Sequence, residues 1–103
     1  MDVEPGQLVK SLVGRDKGKH YLIIDVEDGR VVLANGRSRS MSRPKKKNPK
    51  HLQSYNCIVP GLKDKIRQKS LNDTEVRDIL NTLMERNVDH WLHNFQNSSE
   101  SGS

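Results

Sequence analysis

The chain has 103 residues, of which 32% are hydrophobic, and carries 18 Lys and Arg against 13 Asp and Glu, for a formal net charge of +5. With a mean hydropathy of −0.84, its core must be small, and no run of residues approaches the length of a membrane-spanning helix. One cysteine excludes an internal disulfide and fits a reducing compartment. The opening Asp2-Val3-Glu4 carries no signal-peptide pattern, so a cytoplasmic protein is expected. The charge is uneven: there are 12 Lys and Arg against 6 Asp and Glu up to residue 53, and 6 against 7 beyond it. A polyanionic partner is therefore expected for the N-terminal half.

Pro5-Gly6 turns the chain into a first strand, from Gln7 to about Val13. Gly14-Arg15-Asp16-Lys17-Gly18-Lys19 follows as a hairpin loop. Its glycines, Gly18 among them, allow positive φ and close approach of a foreign backbone, while Arg15, Lys17 and Lys19 offer cations to phosphate oxygens. The second strand is His20–Glu27, with Leu22, Ile24 and Val26 on one face and Tyr21, Ile23 and Asp25 on the other. Asp28-Gly29 is a two-residue hairpin turn, Arg30–Ala34 a third strand, Asn35-Gly36 a second tight turn and Arg37–Met41 a short fourth strand. His51–Tyr55 is the candidate fifth strand. Short strands joined by tight turns describe a small antiparallel barrel. It is expected to occupy residues 1–57 and to fold alone on Leu22, Ile24, Val26, Val31 and Leu33.

Between strands four and five, residues 37–50 hold Arg37, Arg39, Arg43, Lys45, Lys46, Lys47 and Lys50 and no acid. Pro44 and Pro49 bracket the Lys triplet and keep it extended. Like charges this dense leave the free segment mobile. A solvated loop is the plain reading; a second basic element in the same half favours phosphate contact.

From Cys57 the pattern becomes helical. Pro60-Gly61 breaks the chain and Leu62–Lys69 suits a short helix. Asn72 can cap a second helix, with Glu75 three residues on as in a capping box. Val76, Ile79, Leu80 and Leu83 repeat at helical spacing. The next apolar series, Met84, Val88, Trp91 and Phe95, is offset from the first. Either the helix breaks near Asn87 or one long helix touches two surfaces. Residues 58–96 thus read as a helical extension and 97–103 as a disordered tail.

His20, His51, His90, His93 and Cys57 lack the Cys pairs or carboxylates of a metal site, and neither metal nor cofactor is expected. No base and orienting group accompany Cys57 or a serine. Gly18-Lys19 is followed by His20, where a phosphate-binding enzyme loop carries Ser or Thr. No enzyme is expected. Tyr21, beside the loop, can serve as a stacking ring or as core. Trp91 and Phe95, four apart, suit packing or the docking of a partner. With few aromatics, recognition of a nucleic acid would rest on phosphate and shape.

Gly6, Leu8, Val9, Ser11 and the run Gly14–Lys19, followed by an apolar strand, resemble the KOW motif of ribosomal proteins and transcription factors. Ile24-Asp25-Val26, then Val31–Gly36, then a basic run ending Lys50-His51-Leu52, resemble more narrowly the ribosomal large-subunit protein family numbered fourteen in archaea and eukaryotes, and its short bacterial KOW-domain relatives. The likeness covers about residues 5–53. His20 and Tyr21 stand where many KOW motifs carry a further glycine. The resemblance implies an SH3-like barrel; with the helical pattern that follows Cys57, the expected fold is mainly β with a helical C-terminal part of one or two helices. The resemblance also implies binding to structured RNA, ribosomal RNA above all, in translation; a non-enzymatic protein, monomeric when free, with ribosomal proteins as candidate neighbours, is expected. The alternative is a KOW-type protein-interaction adaptor that docks through its C-terminal helix at Trp91 and Phe95.

Overall fold

The computed structural model describes residues 3–86. Strands β1 (Gln7–Ser11), β2 (His20–Glu27), β3 (Arg30–Ala34), β4 (Lys45–Lys47) and β5 (Leu52–Ile58) precede helices α1 (Leu62–Arg67) and α2 (Asp73–Glu85). All strand pairs are antiparallel, in the order β4-β3-β2-β1-β5. β2 and β3 have the expected bounds. Asp28 (φ 49°) and Gly29 (φ 75°) form the turn between them, and Glu27 faces Arg30 across it. Two positive φ values match the twist of the flanking strands.

The sheet is curled by its connections. β4 and β5 are its two edges, yet only Asn48 and a 3₁₀ turn, Pro49–His51, separate them in the chain. The edges of a flat five-stranded sheet would stand about 19 Å apart. A connection containing a 3₁₀ turn, at about 2 Å per residue, reaches roughly 13 Å. Lys47 of β4 accordingly reaches Ser11 of β1 across the concave side. No β4–β5 ladder closes the sheet among the described residues.

Each face carries its own apolar cluster. The concave face holds Val9, Tyr21, Ile23, Val31, Leu33 and Leu52. On the other face Leu8, Leu22, Ile24, Val32, Ala34 and Tyr55 pack with Leu62, Leu71, Val76, Leu80 and Leu83 from the helical part. Strand gives way to helix between Ile58 and Leu62, within one core. Asn72 caps α2 as expected, its side-chain oxygen accepting the Glu75 N–H at 2.9 Å.

Three expectations need correction. Val26 does not join Leu22 and Ile24: the register slips between Ile23 and Asp25, and past this bulge alternation is reversed. Val26 then pairs with Val31 at the sheet's end and is 41% exposed. Residues 37–41 form no strand. The Asn35 side-chain oxygen accepts the N–H groups of both Arg37 and Arg39 at 2.9 Å, capturing donors that a ladder would need. The fourth strand is the Lys triplet itself. The fifth runs to Ile58 rather than Tyr55, with a bulge against β1 where the Gln7 amide donates to the Tyr55 carbonyl at 3.1 Å. Val88, Trp91, Phe95 and the expected tail lie outside the described residues.

The shared core has a direct consequence for the expectation that the strands fold alone. Removing Leu62, Leu71, Val76, Leu80 and Leu83 forfeits five burials of about 1.5–3 kcal/mol each, comparable with the 5–15 kcal/mol of a whole domain. A fragment ending at residue 58 should melt broadly, without the cooperative transition of the full chain, in a circular-dichroism thermal scan. A sharp transition in the fragment would show that the concave cluster is a sufficient core.

Candidate nucleic-acid interface

The β1–β2 loop is built on an inward-pointing acid. Asp16 is 6% exposed. One of its carboxylate oxygens accepts from the Ser11 hydroxyl (2.9 Å) and the Lys47 ammonium (3.0 Å). The other accepts from the Tyr21 hydroxyl (2.9 Å) and pairs with Lys45 (3.2 Å). Lys47 also donates to the Ser11 hydroxyl oxygen and, at 2.9 Å, to the Val13 carbonyl. Among the described residues no buried side-chain nitrogen or oxygen lacks a partner. Burial alone would raise the Asp16 pKa; hydrogen bonds from Lys47, Tyr21, Ser11 and Lys45 outweigh it and hold the carboxyl well below the usual range. Burial, then the hydrogen bond to Asp16 and its charge, push Tyr21 up to about 12, against a small opposing effect of Arg39.

With Asp16 turned inward, Arg15, Lys17 and Lys19 are turned to solvent. The loop closes through Lys17 N–H to the Gly14 carbonyl (3.2 Å) and Gly18 N–H to the Ser11 carbonyl (2.8 Å). Gly18 has φ +91° and nothing within 4 Å of where a Cβ would stand, so its backbone angle, not space, selects glycine.

The Lys triplet is divided by strand alternation. Lys45 and Lys47 share the face of Leu33 and Val31, while Lys46 points away. Lys47 is buried and engaged with Asp16, so the expected phosphate contact at this position is replaced by an internal pair. Lys45 pairs with Asp16 from a partly open position; Lys46, 58% exposed, pairs with Glu27 at 3.3 Å. Tyr21 is 1% exposed and is core, which removes it as a stacking ring.

Arg15, Lys19, Ser38, Arg39 and Lys45 surround a concavity of about 360 Å³ over Asp16 and Tyr21. A neighbouring concavity of about 390 Å³ shares Lys19 and Ser38 and adds Arg37 and, from α2, Arg77. Lys17, Arg43, Lys46 and Lys50 are exposed but line neither. The arginine-bearing loop is held against α2. A Cβ on Gly36 would lie 2.4 Å from the Asp73 carbonyl oxygen, and the Met41 N–H donates to the Asp73 carboxylate at 2.8 Å. Asp16, Ser38 and Arg77 were not singled out by sequence pattern. Asp16 looks like one more polar loop residue, and Arg77 lies far along the chain on a helix, half-buried against Gly36.

Cys57 lines a separate groove of about 410 Å³ with Val59, Ile79 and Leu83. Burial pushes its thiol pKa up, away from the thiolate that nucleophilic chemistry needs. No group of three or more His, Cys, Asp or Glu able to hold a metal occurs among the described residues. His90, His93, Trp91 and Phe95, and with them the adaptor's docking surface, lie outside those residues.

Removing the Asp16 charge should leave Lys47 buried and unpaired. Asp16→Asn is expected to cost about 3–5 kcal/mol at pH 7, measured by denaturant unfolding. Because the folded pKa lies below the unfolded value of about 3.9, the carboxylate's contribution is complete above that value and is lost as pH falls through the folded pKa. The stability gap between wild type and Asp16→Asn should therefore narrow steadily below about pH 4. A gap that stays constant from pH 7 to pH 2 would contradict the ionised network.

No protein-family model matches the chain, and no curated protein matches it.

Proposed function

We propose that this protein is a non-enzymatic RNA-binding protein that grips the phosphate backbone of structured RNA, ribosomal RNA in particular. In this reading the curled sheet is an SH3-like barrel of the KOW type and the Gly14–Lys19 loop is its RNA-facing edge. The observation that carries the proposal is the convergence of Arg15, Lys19, Arg39 and Lys45, from two loops and an edge strand, on one concavity. Gathering like charges is unfavourable unless an anion meets them. Arg15, Lys19 and Arg39 form no ion pair among the described residues, whereas Lys45 and Lys47 share Asp16. A phosphodiester supplies the missing charge, and its binding releases condensed counterions. Both tyrosines are buried, which favours recognition of phosphate and shape over base stacking.

The test is a salt titration of affinity for structured RNA hairpins. About six contacts, from Arg15, Lys19, Arg37, Arg39, Lys45 and Arg77, would give a slope of log K against log salt of roughly −4 to −5. Changing Arg15, Lys19 and Arg39 together to Ala should flatten it by about two to three units and weaken different hairpins by similar factors. Lys47→Met should lower stability and leave the slope of the folded protein unchanged. An unchanged slope in the triple variant would overturn the proposal. Association with ribosomes that survives the triple substitution and is lost on changing Trp91 and Phe95 would establish the adaptor instead.

A further inference from the structure

We infer that the concavity between α2 and the arginine loop receives a single unpaired nucleobase, so that the preferred RNA is a helix interrupted by a bulged nucleotide. The inference rests on the RNA-binding reading and adds a base-recognising site to it. The two neighbouring concavities differ in chemistry. The one over Asp16 is ringed by cations and floored by polar groups, and suits a phosphate. The other is lined by Leu80, Met84, His20 and Asn81 as well as by Lys19, Arg37 and Arg77. A phosphate gains nothing from an apolar lining; a nucleobase has an apolar face to lay on it.

The edge of the base also finds a partner. The Asn81 amide presents a donor and an acceptor side by side, the pairing that reads adenine through two hydrogen bonds. It makes no hydrogen bond among the described residues, so a base displaces only water. Arg37 and Arg77 stand where the phosphates flanking an extruded nucleotide need neutralising. Unstacked bases commonly rest on aromatic rings or Arg planes. With Tyr21 and Tyr55 buried, the half-buried His20 ring that also lines the concavity, its aliphatic lining and the adjacent guanidinium of Arg77 take that part.

Three RNA hairpins separate the possibilities: one fully paired, one with a single bulged adenosine, and one with an abasic residue at the same bulge. The abasic bulge keeps the backbone distortion and removes only the base. By fluorescence anisotropy the wild-type chain should bind the adenosine bulge about tenfold more tightly than the abasic one. Asn81→Ala, on an exposed helical position where Ala is well tolerated, should bring that ratio close to one and leave affinity for the paired hairpin unchanged. Equal binding of the adenosine and abasic bulges by the wild type, with the steep salt dependence intact, overturns the base site alone. A tenfold ratio that persists in Asn81→Ala overturns it as well, since the base would then be read elsewhere. Failure to bind any of the three hairpins overturns both this inference and the RNA-binding reading.

Discussion

The Asp16 carboxylate is the constraint on which the basic half depends. It gathers groups from β1 (Ser11), β2 (Tyr21) and β4 (Lys45 and Lys47) around one buried charge. Without it, Lys47 would be an uncompensated cation in an apolar interior, at a cost of several kcal/mol. With it, a strand made of three lysines becomes an acceptable sheet edge, pinned across the concave side to β1 and the β1–β2 loop. The same bonds shape the loop. Because Asp16 turns inward, its neighbours Arg15 and Lys17 turn outward, and the loop's cations stand together on the surface.

The rest of the proposed interface depends on the helical part. Gly36 lies so close to the first turn of α2 that any side chain would strike the Asp73 carbonyl, and the Asp73 carboxylate receives the Met41 N–H. These contacts hold the loop that carries Arg37 and Arg39 against α2, with Arg37 and Arg77 lining one concavity. Docking of α2 on Leu22, Ile24 and Tyr55 thus does two things at once: it buries one face of the sheet and it sets the position of half the cations. Under the proposed RNA-binding reading, helix packing and phosphate binding are linked through these few contacts.

Much of this was legible from local pattern. The β2–β3 hairpin follows from β-branched runs around Asp-Gly, and the start of α2 from Asn72 and Glu75, because both depend on neighbours in sequence. What depends on distant partners was not. Alternation divided the lysine triplet only once Lys45–Lys47 was known to be a strand, and that in turn required Asn35 to prevent one at residues 37–41. The bulge at Ile24, which exposes Val26, leaves no mark in composition. Tyr21 could be core or platform until Asp16 was found beneath it. Arg77 joins the basic face through tertiary packing alone, which is why the acidic balance of the second half concealed it.

The central claim is that the cations are sorted, some spent on Asp16 inside and others presented outward to phosphate. Arginine and lysine side-chain resonances, followed by nuclear magnetic resonance as a structured RNA hairpin is added to the full chain, test it most directly. The guanidinium signals of Arg15, Arg39 and Arg77 should shift together in proportion to bound RNA, while the Lys47 ammonium signal stays where it is. Shifts confined to the Cys57 groove, or a Lys47 signal that moves with those of the surface arginines, would contradict it.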